Sequence, residues 1–213
     1  MMTSLWRALM ACLAAFTLAY SASAQAGGCN VDFVNAAYSA NVDPDTARMN
    51  CDIERATTIR ERARQLYATQ FDPLVEIIDT ASPSGAAYIY NVINEGTHLR
   101  LEARSVPDGR GPRCRLQAPI ADDTANALTI LLSRAFEADV PDYGPREEVT
   151  INPDGSRSVK LVIDSHDIIT RAETPAGVRN FSRHAGSDDL VNQINSLVIG
   201  VANVSPDWVC GIS

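Results

Sequence analysis

Apolar residues return every three or four positions at Ile53, Ala56, Ile59, Ala63 and Leu66, the spacing that lays one stripe along a helix. Just before them stands Asp43-Pro44, an acid at the cap and a proline at the first helical position, where its missing amide costs nothing. The pattern predicts a helix from Pro44 to Gln70, with a short helical stretch before it around Val31 to Ala40. Asp72-Pro73 repeats the opening with Glu76 placed as a capping partner, and this predicts a short helix ending near Thr80.

The period then changes to two. Tyr88, Tyr90 and Val92 share one face of an extended segment, and after Asn94-Glu95-Gly96 so do Leu99, Leu101 and Ala103. This predicts a hairpin that turns His98, Arg100, Glu102 and Arg104 to the opposite face. Arg113 to Gln117 supplies a third strand. Asp122 or Asp123 then caps a helix whose buried stripe is Leu128, Leu131, Leu132 and Ala135.

A second series follows. Val149-Thr150-Ile151 leads into the turn Asn152-Pro153-Asp154-Gly155, Val159, Leu161 and Ile163 return on alternate positions, and strands are predicted over Ile168 to Ala172 and Val178 to Ser182. A helix capped by Asp188 or Asp189 closes the series. Its second half is rich in β-branched residues and holds Gly200, which favours a strand, but Asn192, Gln193 and Asn195 break any strict alternation and favour the helix.

The two helical stretches echo each other. Asp122, Asp123 and Asn126 correspond to Asp188, Asp189 and Asn192, Leu128, Leu131 and Leu132 to Ile194, Leu197 and Val198, and Pro141-Asp142-Tyr143 to Pro206-Asp207-Trp208 after a one-residue slip. Two unrelated amphipathic helices would share much of this pattern, so duplication requires related packing as well. The expected fold is α+β: an antiparallel sheet from two strand-strand-strand-helix units, candidates for a duplication, with helices on one face and a helical region in front.

The first 24 residues read as a secretory signal: Arg7, an apolar run from Ala8 to Tyr20, and the small-residue site Ala22-Ser23-Ala24. The run is too short to anchor the chain well in a membrane. Leu9-Met10-Ala11 before Cys12 leaves too short an apolar segment for a lipoprotein signal, and Ala26-Gly27-Gly28 before Cys29 lacks the bulky residue such a signal needs. The remainder, 25–213, is expected to form one domain: a helical region over 25–80, a first unit over 81–145 and a second over 146–213. The expected location is periplasmic or extracellular, with no transmembrane segment in the mature chain.

Export changes how the cysteines are read. Cys29, Cys51, Cys114 and Cys210 remain after cleavage, and an even number in an exported chain favours two disulfides among three possible pairings. The preferred pairing is Cys29 with Cys51, a local clip, and Cys114 with Cys210, a tie between the two halves. Their wide spacing, with no C-x-x-C pair, argues against zinc.

The whole chain carries a formal charge of −8, and cleavage removes one basic residue and no acidic one. This balance and the absence of a basic block argue against nucleic acid as a partner. The basic residues are arginines apart from Lys160, and Arg48, Arg55, Arg60, Arg62 and Arg64 fall on the first long helix. They read either as an anion-contacting face or as a solvated one partly balanced by Asp52, Glu54 and Glu61, and the solvated reading is preferred.

Catalytic signatures are absent from the sequence. Asp164-Ser165-His166-Asp167 gathers the residue types of a serine hydrolase, but adjacent residues point in different directions and no G-x-S-x-G context surrounds the serine. The histidines His98, His166 and His184 show no metal-ligand spacing, and no glycine-rich phosphate loop implies a nucleotide cofactor. No cofactor or metal is expected. The weak candidate binding surface is the outward sheet face with His98, Arg100, Arg104, Lys160 and Arg171, and Tyr88, Tyr90, Phe136 and Tyr143 are candidates for an apolar pocket. The sequence therefore favours a non-catalytic binding module for a protein or small-molecule ligand. Its competitor is a hydrolase whose site, assembled from distant residues, includes His166 or His184.

Overall fold

The computed structural model describes residues 43–67, 72–80, 86–107, 111–137, 140–144, 147–161, 167–174, 177–185 and 188–211. Along them run α1 (Pro44–Leu66), β1 (Val75–Thr80), β2 (Ala87–Asn94), β3 (Leu99–Val106), β4 (Cys114–Pro119), α2 (Asp122–Glu137), β5 (Glu147–Ile151), β6 (Arg157–Leu161), β7 (Asp167–Thr174), β8 (Gly177–His184), α3 (Leu190–Val204) and β9 (Val209–Cys210). The fold is α+β. Seven strands form an antiparallel sheet in the order β8-β7-β1-β2-β3-β4-β9, and β5 and β6 pair separately as a two-stranded ribbon.

Side-chain alternation along the strands sorts the core into two layers. On one face Ile77, Tyr90, Val92, Leu101, Leu116 and Ile168 pack with Leu128 and Leu132 of α2 and Ile194 and Val198 of α3. On the other face Ile78, Ile89, Val106 and Ile169 pack with Ala56 and Ala63 of α1. The predicted pair of helices thus shares one face, and α1 covers part of the other.

Local chemistry sets the helix starts. Asp43 accepts from the Thr46 amide at 2.9 Å and Asp189 from the Asn192 amide at 2.8 Å, each satisfying a first-turn donor. In α2 Asp122 and Asp123 do not stand before the helix as expected of a cap but lie inside the first turn, where they favour the helix dipole. The last segment is a helix, so packing of Val191, Ile194, Val198 and Ala202 overrides the β-branched composition.

One predicted element is overturned. Val75–Thr80 is a strand, not the short helix that Asp72-Pro73 and Glu76 suggested. It lies between β2 and β7 with a ladder on each side, and Val75, Ile77 and Ile78 are buried across its two faces. A central strand buried on both faces loses the alternating pattern that would identify it. Pro73 precedes the strand and removes no donor from the ladder. Glu76 does not cap; its carboxylate accepts from Arg60 Nε of α1 at 2.6 Å.

α2 and α3 lie side by side, each following an antiparallel strand pair, β3–β4 and β7–β8. The resemblance stops at the ribbon β5–β6, whose counterpart in the first series, β2–β3, lies in the main sheet. A disulfide between Cys114 of β4 and Cys210 of β9 spans 96 residues and ties the two series together. Cys51 is also disulfide-bonded, and Cys29 lies outside the described residues. The signal segment and His166 lie outside them as well. Among the described residues no helix is long and apolar enough to cross a membrane.

Candidate functional site

The sheet register aligns polar residues into one row on the face that carries α1. Arg171 of β7 stands opposite Glu76 of β1, Glu76 opposite Asn91 of β2, Asn91 opposite Glu102 of β3, and Glu102 opposite Gln117 of β4. Directly opposed residues project to the same face, so the row crosses five strands. Glu76, Asn91 and Glu102 are buried within it.

Buried carboxylates require partners, and arginines supply them. Arg60 reaches Glu76 from α1 through Nε at 2.6 Å and Nη2 at 2.5 Å. Glu102 accepts from Arg100 at 2.6 Å, Arg104 at 2.9 Å and the Gln117 amide at 2.8 Å. Asn91 lies between these two assemblies, flanked in the row by carboxylates that cannot donate to it. Its Oδ1 is buried without a hydrogen-bond partner among the described residues.

Over this row, beside α1, opens a cleft of about 250 Å³. Arg60, Arg64, Arg104 and Arg171 contribute to its lining, against the two acids Asp72 and Glu76. A chain with a formal charge of −8 therefore keeps a local excess of positive charge in a concave site. Arg60 and Arg104 are committed to glutamates, whereas neither Arg64 nor Arg171 forms an ion pair among the described residues. Ala63, Pro73 and Ile89 add apolar wall, and Asn91 completes the lining.

The predicted surface divides on this geometry. Arg104 and Arg171 line the cleft, and Arg100 adjoins it through the shared Glu102. Hydrogen bonds that Arg100 donates to Glu102 and then to Glu95 raise its pKa, and the bond with Arg100 is the main cause lowering that of Glu95. His98 lies at the β2–β3 turn, exposed and 2.7 Å from Glu95 Oε2, and is not part of the cleft lining. Lys160 belongs to β6 of the separate ribbon. The sequence pattern did not single out Asn91, and it placed Glu76 as a helix cap. Their signal was the face they occupy, which emerges only once β1 is a strand.

The residues considered for an apolar pocket also separate. Tyr90 enters the core, Tyr88 is exposed and meets Trp208 edge-on at 6.2 Å, Phe136 packs against the core, and Tyr143 bridges to Ser182 beside β8. Burial is the largest cause raising the Tyr90 pKa above the ordinary phenol value. None of the four lines the arginine cleft.

Ser182 stands two residues from His184 on β8, whereas Ser165, the serine of the cluster in the sequence, lies outside the described residues. The Ser182 hydroxyl donates to the buried Asp52 Oδ2 of α1 at 2.6 Å, a bond that fastens α1 to the sheet. His184 is buried, and its backbone carbonyl accepts from the Asn192 side chain at 2.8 Å. Among the described residues no group of three or more His, Cys, Asp and Glu side chains could hold a metal ion. The chain matches no protein-family model, no curated protein and no solved structure.

Proposed function

We propose that this chain is an exported, disulfide-bonded, non-catalytic binding module, folded as one domain over 25–213, that holds a small anion in its arginine-lined cleft. The observation carrying this reading is the pair Arg64 and Arg171, two cleft arginines without a carboxylate partner among the described residues, beside two arginines already committed to glutamates. Arginine suits this role because its planar fork matches carboxylate and phosphate oxygens and remains charged. The signal pattern and the Cys114–Cys210 disulfide support export. His98 and Lys160 belong to the expected binding surface but fall outside the cleft lining, so the proposed site rests on Arg104 and Arg171, with Arg60, Arg64 and Asn91 added.

Isothermal titration of the oxidised mature protein with phosphate, sulfate and small carboxylates tests the reading. At least one anion should bind, its affinity should fall as salt rises, and Arg171→Gln should weaken it roughly tenfold or more, the scale of a lost charge-assisted hydrogen bond. Absence of binding across the set, or binding indifferent to Arg171→Gln, overturns the cleft as the site. Intact-mass analysis of the secreted protein should place its first residue at Gln25.

A further inference from the structure

Resting on the anion-cleft reading, we infer that the ligand is a small hydroxycarboxylate, its carboxylate held by Arg64 and Arg171 and its hydroxyl donating to Asn91 Oδ1. The second contact follows from Asn91. It lines the cleft, its residue is 8 % exposed, and Oδ1 is buried with no partner among the described residues. An amide oxygen accepts and does not donate, so the missing partner must bring an O–H or N–H. Rotation of the amide about χ2, a broad torsion, can present the oxygen to the cleft.

Nearby donors do not fill this role. The Arg60 contacts go to Glu76, while Gln117, Arg100 and Arg104 bond Glu102, and opposed carboxylates on either side of Asn91 accept only. A ligand that is anionic throughout, such as sulfate or a plain carboxylate, leaves the amide oxygen unpaired. An ammonium donor would enter a cleft whose four arginines outnumber its two acids, so a neutral hydroxyl is the better donor.

Size and wall composition point to a small organic acid. The cleft volume of about 250 Å³ lies below the roughly 300–1,000 Å³ of sites for drug-sized ligands. Ala63, Pro73 and Ile89 offer apolar contact to a carbon skeleton that inorganic phosphate lacks.

The test compares lactate and glycerate with propionate, alanine, phosphate and sulfate by isothermal titration on the oxidised mature protein. Lactate and propionate share a skeleton and differ by the hydroxyl. Lactate and glycerate should bind at least about fivefold more tightly than propionate, the lower bound for pairing a buried acceptor otherwise left unsatisfied. In Asn91→Leu this preference should shrink to near equality. The wild-type comparison stands even if that variant fails to fold.

Equal binding of lactate, glycerate and propionate overturns the hydroxyl contact and leaves the anion cleft standing, provided Arg171→Gln still weakens all three. A preference persisting in Asn91→Leu overturns the role of Asn91. Tighter binding of alanine, or of phosphate or sulfate, overturns the hydroxycarboxylate in favour of an amino acid or an inorganic anion. Binding by none of the six removes the cleft reading itself.

Discussion

Arg183 donates through Nε to the carboxylate of Asp189 at 2.5 Å while its own side chain is fully buried. The rest of its guanidinium donates to the carbonyls of Ser182 at 2.7 Å, Pro141 at 2.7 Å and Asp142 at 3.3 Å. One cation therefore joins β8, the cap of α3 and the segment after α2. Gly144 leaves room for it, since a Cβ there would lie 2.7 Å from Arg183 Cδ.

Asp189 serves this cation and the helix at once. Asp189→Ala should destabilise the fold by roughly 3–5 kcal/mol, the range for leaving a buried charge unpaired, which exceeds the ~1 kcal/mol typical of a lost cap. Asp189→Asn retains a good cap but removes the charge, so its cost should fall between these values. Urea unfolding monitored by circular dichroism checks the order: equal costs for the two variants would assign the effect to the ion pair alone, and a negligible cost for Asp189→Asn would assign it to capping.

The Cys114–Cys210 bond closes a long loop over a β9 of only two residues. In the chain-entropy treatment a loop near 100 residues contributes about 4.7 kcal/mol, so Cys114→Ala with Cys210→Ala should lose a large part of that amount. Denaturation of this variant against the oxidised parent measures the loss. Mass mapping under non-reducing conditions should recover the 114–210 bridge, and free thiols at both positions would contradict it.

Tyr90 predicts an alkaline limit. Its neutral form is favoured in the folded state because burial and the neighbouring Asp79 and Tyr88 oppose phenolate. A pKa raised on folding contributes stability that is complete below the unfolded phenol value of about 10 and is lost as pH rises through the folded value. Stability should therefore decline from about pH 10 upward, with a shallower slope in Tyr90→Phe. Urea midpoints across the alkaline range measure the slopes, and phenolate absorbance should show one late-titrating tyrosine missing from the variant.

Asn91 should sacrifice stability for its position in the cleft. An apolar residue of similar size removes a buried acceptor that has no partner, so Asn91→Leu should stabilise the ligand-free protein by roughly 1–2 kcal/mol. Thermal unfolding without added anions provides the measurement. A large destabilisation would show that the amide already has a partner in solution.

The candidate site was only partly legible before folding. Arg100, Glu102 and Arg104 were placed together by strict alternation with Leu101 and Ala103, and the register confirms that they share the row's face. Arg60 and Arg64 read as members of a solvated helix face, because helical spacing does not say what lies opposite. Lys160 resembled a sheet residue by the same alternation, but among the described residues β6 pairs only with β5. Local period determines which residues share a face of one strand, whereas pairing determines which strands share a sheet.

By itself the sequence determined the elements with strong local causes: the stripe of α1, the β2–β3 hairpin, the caps at Asp43 and Asp189, and the α+β class that follows from them. It also carried the cysteines and the acidic balance. Only the tertiary structure decided that Val75–Thr80 is the strand joining the two series, because ladders to β2 and β7 outweigh a local helix start. That one strand places Glu76 between Arg171 and Asn91. The cleft follows from long-range register, which no single stretch of sequence contains.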